Sequence, residues 1–267
     1  MRNRPALFLW FTAAVAALAW QAPAWSQAPT YDLVIRGGRV VDGTGSPWFV
    51  ADVGIKGDTI TAVAPRLDAG GAAVIDAQGL AVSPGFVDVH SHVEPYDGGQ
   101  DIIGNPAAEN NLRQGVTTVI GAPDGGGSVQ VGAYLEKALA AKPAINLGAF
   151  IGHGSVRRAV MGDENRAATP EELQRMKDLV RTGMREGAVG LSTGLFYVPG
   201  NYAPLDEVVE LARVAGELGG IHQSHMRDEA ARVLDSVRDT IAIGERGGLP
   251  TQVTHHKIIG KVNWGRS

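Results

Sequence analysis

The sequence contains no cysteine among its 267 residues, and this absence removes several options at once. Disulfide bonds cannot stabilise the fold, so a hydrophobic core, a bound metal or a partner subunit must do so. Any metal site must use histidine, aspartate, glutamate or a modified lysine as its ligands, because thiolate ligands are excluded.

Runs of one charge are also missing. The net charge is −4, and no run rich in lysine or arginine with interleaved aromatic residues occurs. This pattern argues against nucleic acid as a partner and favours a small molecule. The hydrophobic fraction of 44% and the charged fraction of 19% are typical of a packed globular protein, and they leave the oligomeric state open.

The apolar run near the N-terminus is short for a membrane span. It covers residues 6 to about 20, follows Arg2 and Arg4, and precedes small residues near Ser26. These three parts are typical of a secretory signal peptide, whereas a membrane helix needs about 20 apolar residues. We therefore predict that residues 1–26 are a cleaved signal peptide and that the protein is exported, to the periplasm of a bacterium, with no stable membrane span. A single membrane anchor is the alternative interpretation.

Residues 27–84 are predicted to form a small N-terminal module that resembles a β-sandwich. Short β-branched runs, separated by glycine and with alternating apolar positions, are typical of antiparallel strands. Gly57 and Asp58 lie between two such runs, where a hairpin turn is favoured.

From Gly85 onward the pattern changes to apolar strands that alternate with amphipathic helices, which is typical of an α/β fold with a parallel sheet. The six candidate strands are GFVDVHSH, TTVIGAPD, INLGAFIGHG, AVGLSTGLFY, GIHQSH and TQVTHH. Their spacing is close to one βα unit, so residues 85–267 predict an incomplete TIM (β/α)8-type barrel of about six βα units. We expect a C-terminally truncated fragment of a longer enzyme, or a polypeptide that is poorly stable and nearly inactive alone.

Three helices can be placed from their caps and apolar stripes. Thr169 and Glu172 form a capping box around Pro170, and Gly187 ends the first helix. Its stripe is Leu173, Met176, Val180 and Met184. The second helix has the stripe Leu205, Val208, Val209 and Ala212, and the third has Val233, Leu234, Val237 and Ile241.

All seven histidines fall at or near proposed strand ends, at positions 90, 92, 153, 222, 225, 255 and 256. Active sites of α/β barrels lie at this end of the strands. His90 and His92 are two residues apart on a strand, so both imidazoles would face one side and could bind Zn²⁺ or a similar ion. In the alternative interpretation, one of the two packs in the core and the other caps the strand.

The motifs GFVDVHSH, GVTTVIGAPDGG, GHGSVR, GAVGLSTGLFYVPG, HQSHMRDE and QVTHHK form a series. This series resembles that of the N-acyl-D-amino-acid deacylases, the D-aminoacylase branch of the amidohydrolase superfamily, from about Tyr31 to the C-terminus. The fourth strand lacks the lysine that hydantoinases and dihydroorotases carry there, which argues against those branches.

The resemblance implies one or two Zn²⁺ ions, or another divalent metal, bound by His90, His92, Asp124, His225 and His255. His256 is the neighbouring alternative to His255, because strand alternation alone cannot decide between adjacent residues. Asp124 stands where the best-known members carry cysteine, and its alternative role is that of a turn residue before Gly125.

The resemblance also implies an enzyme that hydrolyses the linear amide bond of N-acyl-D-amino acids. It assigns substrate binding to Lys257 and Tyr197, while Arg157 and Arg227 could pair with a carboxylate; a solvated surface position is the alternative for all four. The catalytic aspartate is expected on an eighth strand, beyond Ser267, so no catalytic residue is assigned. Two alternatives remain: a non-catalytic chain that binds only a metal or small ligand, and an amidohydrolase that acts on a dipeptide or cyclic amide.

Overall fold

The computed structural model describes residues 31–94 and 101–266. The predicted signal peptide, residues 1–26, lies outside these ranges. The chain divides into two compact units between Pro84 and Gly85. Within the described ranges, no helix combines the length and the hydropathy needed to cross a membrane.

The first unit is one five-stranded sheet. Its strands are β1 (Leu33–Val40), β2 (Phe49–Lys56), β3 (Thr59–Ala64), β4 (Ala73–Asp76) and β5 (Ala81–Val82). The order is β3-β2-β1-β4, and β5 also pairs with β1. The pairs β1/β2 and β2/β3 are antiparallel, whereas β4 and β5 run parallel to β1. The expectation of antiparallel strands throughout is therefore wrong, because after β3 the chain crosses to the other side of β1.

The predicted hairpin turn of the first unit is confirmed. Gly57 and Asp58 separate β2 from β3, and Gly57 has a φ of 59°, in the left-handed region that favours glycine. The carboxylate of Asp32 accepts the Gly57 N–H at 2.7 Å and fixes the turn. Residues 31–84 form this single sheet, so the described part of the unit contains no second layer of a sandwich.

The second unit contains the predicted parallel strands. They are β6 (Phe86–Asp88), β7 (Val116–Gly121), β8 (Asn146–Ala149), β9 (Ile151–Gly152), β10 (Gly190–Gly194), β11 (Ile221–His225) and β12 (Thr251–Val253). The pairs β6/β7, β7/β8, β9/β10, β10/β11 and β11/β12 are all parallel. Only Phe150 separates β8 from β9, so the two form one interrupted strand. Each of the six candidate segments contains a strand, which confirms the α/β fold with a parallel sheet.

The helices of the second unit connect these strands. They are α1 (Glu109–Leu112), α2 (Val131–Ala140), α3 (His153–Met161), α4 (Pro170–Arg185), α5 (Leu205–Glu217) and α6 (Val233–Gly247). The larger core of the unit includes Ile151 and Leu191 from the sheet, Val180 from α4 and Leu211 from α5. Burial of these apolar side chains holds the helices against the strands that carry the polar residues described below.

The prediction for α4 is confirmed in detail. The Thr169 hydroxyl accepts the N–H of Glu172 at 3.2 Å, and the Glu172 carboxylate accepts the N–H of Thr169 at 2.9 Å. Met176 and Val180 of the predicted stripe are fully buried. The helix ends just before Gly187, whose φ of 108° stops it.

The predicted apolar stripe of α6 is partly wrong. Leu234 and Ile241 are exposed, whereas Ser236 and Thr240 are buried with Val233. Two polar side chains are tolerated there because the Thr240 hydroxyl donates to the carbonyl of Ser236 and the Ser236 hydroxyl accepts an N–H from the preceding loop. The face of α6 that packs against α5 and β12 is therefore not the most apolar one.

Two expectations about histidine positions are also wrong. Strand β6 ends at Asp88, after a shift in its register with β7, so His90 and His92 follow the strand instead of lying on it. The Asp88 carboxylate accepts the N–H of His90 at 3.1 Å and turns the chain at this point. His222 is the second residue of β11 and lies near its start, far from the strand end.

Candidate metal centre

Asp124 is at the centre of a group of histidines that the strand ends bring together. It follows β7 in a turn with a φ of 56°, a left-handed conformation that aspartate tolerates better than most residues. The hydroxyl of Ser192, from β10, fixes this turn because it accepts the N–H of Gly125 and donates to the carbonyl of Ala122. Gly194 leaves room for the turn, since a Cβ there would lie 2.0 Å from the Asp124 carbonyl oxygen.

One carboxylate oxygen of Asp124 faces the first pair of histidines. Its Oδ2 atom lies 3.5 Å from Nε2 of His90 and 3.4 Å from Nε2 of His92. The two imidazole rings meet edge to face, with their centroids 5.3 Å apart. These three residues can offer ligand atoms that all lie within 4.8 Å of one another.

The other carboxylate oxygen faces a second pair. Oδ1 of Asp124 lies 3.5 Å from Nδ1 of His225 and 3.8 Å from Nε2 of His255, and these two nitrogens are 3.0 Å apart. His256, the neighbouring alternative, is exposed and belongs to neither set. We call His90, His92, Asp124, His225 and His255 together the Asp124 cluster.

The distances in the Asp124 cluster fit zinc. Tetrahedral Zn²⁺ with ligand bonds of about 2.0–2.2 Å places its ligand atoms about 3.3 Å apart, and the separations of 3.0 to 3.8 Å lie around this value. Oδ1 of Asp124 is buried and has no hydrogen-bond partner among the described residues. This is expected of an oxygen atom whose partner is a bound cation. Each set supplies three ligand atoms and leaves a fourth tetrahedral position for water or substrate.

Gln223 orients the imidazole ring of His90. The Nδ1–H of His90 donates to Oε1 of Gln223 at 3.1 Å, which leaves Nε2 free to face Asp124. Gln223 is itself buried, and its amide nitrogen donates to the Val89 carbonyl at 2.9 Å. Such outer partners fix the tautomer of a metal-binding histidine.

Glu229 supports the second pair, and the sequence interpretation missed it. It is buried, and its Oε1 lies 3.1 Å from Nδ1 of His255 and 3.6 Å from Nε2 of His225. The ammonium group of Lys257 lies 2.8 Å from each of its oxygens. The signal that could have found it is the acidic residue four positions after His225 in HQSHMRDE.

The electrostatics of the cluster follow from these contacts. Burial acts to raise the pKa of Asp124, but His225 and His90 outweigh it and hold that pKa well below its usual range. Burial also opposes protonation of His90, yet the contacts with Asp124 and Gln223 raise its pKa above the ordinary value. The pKa of His255 is lowered by burial and by the neighbouring His225 and Lys257, which favours the neutral form that binds metals.

A cavity of about 990 Å³ opens from the Asp124 cluster. His92 and Asp124 line it, together with the glycines that follow Asp124 and with Tyr197. The Tyr197 hydroxyl is 3.2 Å from Nδ1 of His225. Of the two predicted substrate-binding residues, Tyr197 therefore lies on the cavity, whereas Lys257 lies against Glu229 and is not among the described residues that line it.

A second group of histidine and carboxylate lies apart from this cavity wall. Nε2 of His153 lies 3.2 Å from Oε1 of Glu207, and Arg157 contacts both Glu207 oxygens at 2.8 and 2.6 Å. All three side chains are buried. We call them the Glu207 cluster. Arg157 thus pairs with a carboxylate of the protein itself, and Arg227 donates to the carbonyls of Asn201 and Ala203.

Comparison with known proteins agrees with the resemblance predicted from the motifs. The sequence pattern of the Amidohydrolase family matches residues 73–257. A D-aminoacylase from Alcaligenes xylosoxydans xylosoxydans is 36% identical over 265 residues, which cover 91% of this chain and 54% of the relative. The chain thus spans about half the length of the curated relatives it matches.

Solved structures give the same result. A D-aminoacylase studied for the role of its binuclear metal centre matches with a TM-score of 0.81 and 35% identity, over 88% of this chain and 54% of that one. An N-acyl-D-glutamate deacylase from Bordetella bronchiseptica, complexed with zinc and a phosphonate inhibitor, matches with a TM-score of 0.81 and 36% identity, over 89% and 54%. The family pattern covers most of the second unit, and the paired strands of that unit are parallel. The chain therefore belongs to the amidohydrolase family.

Proposed function

We propose that the chain is the metal-binding part of an N-acyl-D-amino-acid deacylase, which hydrolyses a linear amide bond and releases a D-amino acid and a carboxylate. One observation carries this proposal: the two oxygens of Asp124 each face a pair of histidine nitrogens at the end of a cavity. The identity of 36% to a D-aminoacylase and to an N-acyl-D-glutamate deacylase supports this substrate class.

The residues of the chain would prepare the site for a zinc ion. When bound, zinc lowers the pKa of water toward about 7 and polarises a carbonyl oxygen. Gln223 holds Nδ1 of His90 through a hydrogen bond, and Lys257 and Glu229 each lie 3.1 Å from Nδ1 of His255, so that both Nε2 atoms face Asp124.

Tyr197 would supply a neutral hydroxyl beside the cluster. Its pKa is raised by burial and by the negative charges of Asp124 and Glu229, so the phenol keeps its proton at neutral pH. Its position on the cavity and 3.2 Å from His225 suits a hydrogen-bond donor to the substrate. The cavity volume of about 990 Å³ is sufficient for an N-acyl amino acid.

The test is release of free amine from N-acetyl-D-alanine by the zinc-loaded chain, followed with a reagent for primary amines. In line with the expectation that this chain is nearly inactive alone, release from the D compound should be slow but measurable, with none from N-acetyl-L-alanine and none from the Asp124→Ala variant. Release from a D-dipeptide or a cyclic amide, with none from N-acetyl-D-alanine, would reassign the substrate.

A second candidate function is binding of a metal or small ligand without catalysis. The observation in its favour is that each candidate metal set brings three ligand atoms within 4.8 Å of one another, which is sufficient to bind an ion without any hydrolysis. Stoichiometric zinc uptake with no amine release from any of these amides would support this candidate over the deacylase.

We further propose that the protein is exported to a bacterial periplasm after cleavage near Ser26. The support is the order of Arg2 and Arg4, an apolar run and small residues. Fractionation of expressing cells, with N-terminal sequencing of the product, tests this. A protein that begins at Met1 and stays in the cytoplasm would contradict export.

A further inference from the structure

Tyr197 contacts the Asp124 cluster from a loop, and loops are in general less firmly fixed than strands and helices. This loop joins β10 to α5, and we call residues 195–204 the Tyr197 loop. Tyr197 itself is 46% exposed, so burial of its ring does not fix its position. Its hydroxyl nevertheless lies 3.2 Å from Nδ1 of His225, the nitrogen that faces Oδ1 of Asp124. Contacts elsewhere in the loop must therefore hold this position.

The first half of the Tyr197 loop is tied to the end of β11. The N–H of Leu195 donates to the carbonyl of His225 at 3.0 Å, and the Leu195 side chain is buried. The N–H of Asn201 donates back to the carbonyl of Tyr197 at 2.9 Å. Gly200 permits this compact path, since a Cβ there would lie 2.6 Å from the carbonyl oxygen of the last residue of β10. The start of the loop is thus fixed to the strand end that carries a candidate metal ligand.

The second half of the Tyr197 loop is held by Arg227. Its Nη1 donates to the carbonyl of Asn201 at 2.7 Å, and its Nη2 donates to the carbonyl of Ala203 at 2.9 Å. Arg227 comes two residues after His225, the last residue of β11, and Met226 between them is fully buried. The backbone of Arg227 is therefore anchored at the same strand end, and its guanidinium closes the loop against it.

The surroundings of the Arg227 guanidinium indicate a role in geometry. Among the described residues no carboxylate lies within 4.0 Å of this half-buried group, and its hydrogen bonds go to carbonyls. Burial lowers the pKa of Arg227, and the charge of Asp239 offsets this only in part. Stability alone does not require such a group, because apolar residues often replace buried charges without loss. The planar fork of arginine is suited to holding two acceptors at fixed positions.

We propose that Arg227 is a positioning residue that holds the Tyr197 hydroxyl beside the second histidine pair of the Asp124 cluster. His225 and Arg227 leave β11 two residues apart, so one strand end fixes both a candidate metal ligand and the loop that carries the hydroxyl. Tyr197 makes the contact with the substrate, and Arg227 acts through the backbone of the loop. This inference rests on the proposed function for what the hydroxyl binds, whereas the position of the hydroxyl can be tested without a substrate.

The test observes Tyr197 by ¹³C NMR of the full chain, labelled at the tyrosine carbon that bears the hydroxyl. The chain has five tyrosines, and the resonance that disappears in Tyr197→Phe belongs to Tyr197. In the wild type this resonance should shift when Zn²⁺ is added, because the hydroxyl lies 3.2 Å from a nitrogen of the cluster. In Arg227→Gln the resonance should lose most of this shift. The zinc affinity, from competition with a coloured chelator, should stay within about twofold of the wild type, since Arg227 contacts no candidate ligand.

Two further variants control this experiment. Arg227→Lys keeps a cationic donor and should restore part of the zinc-induced shift. The matched control is Arg238→Gln, at an exposed arginine of α6 paired with Asp235, and it should behave as the wild type does. An unchanged Tyr197 resonance in Arg227→Gln would overturn the inference. Loss of zinc affinity or of folding in that variant would make Arg227 a structural residue and would overturn it as well.

A double-mutant cycle extends the test to the substrate. Calorimetric titration of N-acetyl-D-alanine into the zinc-loaded chain should show that Tyr197→Phe and Arg227→Gln each weaken binding about 2- to 10-fold, the value of one hydrogen bond. The double variant should bind no more weakly than Tyr197→Phe, because Arg227 acts through that hydroxyl, and additive losses would contradict this.

The two readouts separate this inference from the proposed function. A Tyr197 resonance that depends on Arg227, in a chain that neither binds N-acetyl-D-alanine nor releases amine from it, would overturn the deacylase activity alone. Amine release together with an unchanged Tyr197 resonance in Arg227→Gln would overturn the role of Arg227 alone.

Discussion

The Asp124 cluster and the Glu207 cluster both join histidine to a carboxylate, yet they are arranged for different purposes. The Asp124 cluster lies after the ends of parallel strands, whereas the Glu207 cluster is built from the helices α3 and α5. In the Glu207 cluster, Arg157 occupies both carboxylate oxygens and His153 adds a third contact. In the Asp124 cluster, no lysine or arginine of the described residues reaches the carboxylate, and only imidazole nitrogens face it.

The difference lies in where the balancing charge comes from. Burial acts to raise the pKa of Glu207, but His153 and Arg157 lower it, so this anion is balanced within the protein. Asp124 is stabilised as an anion by histidines that are neutral when they bind a metal. A cation from solution can therefore balance Asp124, whereas Glu207 has no need of one.

The first prediction removes the carboxylate that both metal positions share. The Asp124→Ala variant should lose zinc affinity at both, by more than about 100-fold, since even outer partners of a metal ligand contribute about 10- to 100-fold. Equilibrium dialysis with metal analysis measures the loss. The control is Asp178→Ala, which removes an exposed carboxylate on α4 and should bind zinc as the wild type does. Unchanged zinc content in Asp124→Ala would contradict the assignment of Asp124 as a ligand.

The second prediction concerns the Glu207 cluster. The Glu207→Gln variant should lose about 3–5 kcal/mol of unfolding free energy, because the buried guanidinium of Arg157 is left without its anion. Urea unfolding measures this. Glu210→Gln, on the same helix and in a half-exposed pair with Lys177, should cost at most about 1 kcal/mol.

The same variant also tests the comparison between the clusters. Zinc bound per folded molecule should be unchanged in Glu207→Gln, since Glu207 belongs to neither candidate metal set. Loss of zinc without loss of stability would mean that the roles of the two clusters have been exchanged.

Much of the fold could be predicted because its signals are local. Thr169, Pro170 and Glu172 specify the start of α4 within four residues of chain. The apolar runs bounded by glycine likewise mark the six parallel strand segments. The residues predicted as ligands from the resemblance also come together in the structure, although their role as ligands remains a prediction.

The parts that could not be predicted depend on neighbours distant in sequence. The parallel pairing of β4 with β1 is set by a crossover, which strand alternation does not encode. The buried face of α6 is chosen by α5 and β12, and it includes Thr240 because a local hydrogen bond satisfies its hydroxyl. Glu229 is buried beside Lys257, 28 residues later, which supplies the opposite charge.

The third prediction sharpens the role of that carboxylate. The Glu229→Gln variant should weaken zinc binding by about 10- to 100-fold, because Gln keeps the shape but reduces the charge that orients His255 and His225. Competition with a coloured chelator measures the affinity. Glu186→Gln, at an exposed acidic residue after α4, should leave the affinity unchanged. A Glu229→Gln variant with wild-type zinc affinity and reduced stability would make Glu229 a purely structural residue.

The last prediction uses His222, a buried histidine that faces no carboxylate and so completes the comparison. Its nitrogens contact the hydroxyls of Thr251 and Thr193, at 2.6 and 3.0 Å. Burial, with a smaller contribution from His153, lowers its pKa to about 3. The unfolded chain, with an ordinary histidine pKa of about 6.5, therefore binds a proton between these values that the folded chain does not.

The contribution of His222 to stability is complete above about pH 6.5 and is lost as the pH falls toward 3. In the His222→Gln variant, the unfolding free energy from urea titrations at pH 7, 6, 5 and 4.5 should fall less steeply with decreasing pH than in the wild type. The two slopes should differ by up to about 1.4 kcal/mol per pH unit. His256→Gln, at an exposed histidine, should keep the wild-type slope. Equal slopes in His222→Gln and the wild type would mean that His222 is protonated in the folded protein. A histidine could then carry charge in this core without a carboxylate, and the contrast between the Asp124 and Glu207 clusters would lose its physical basis.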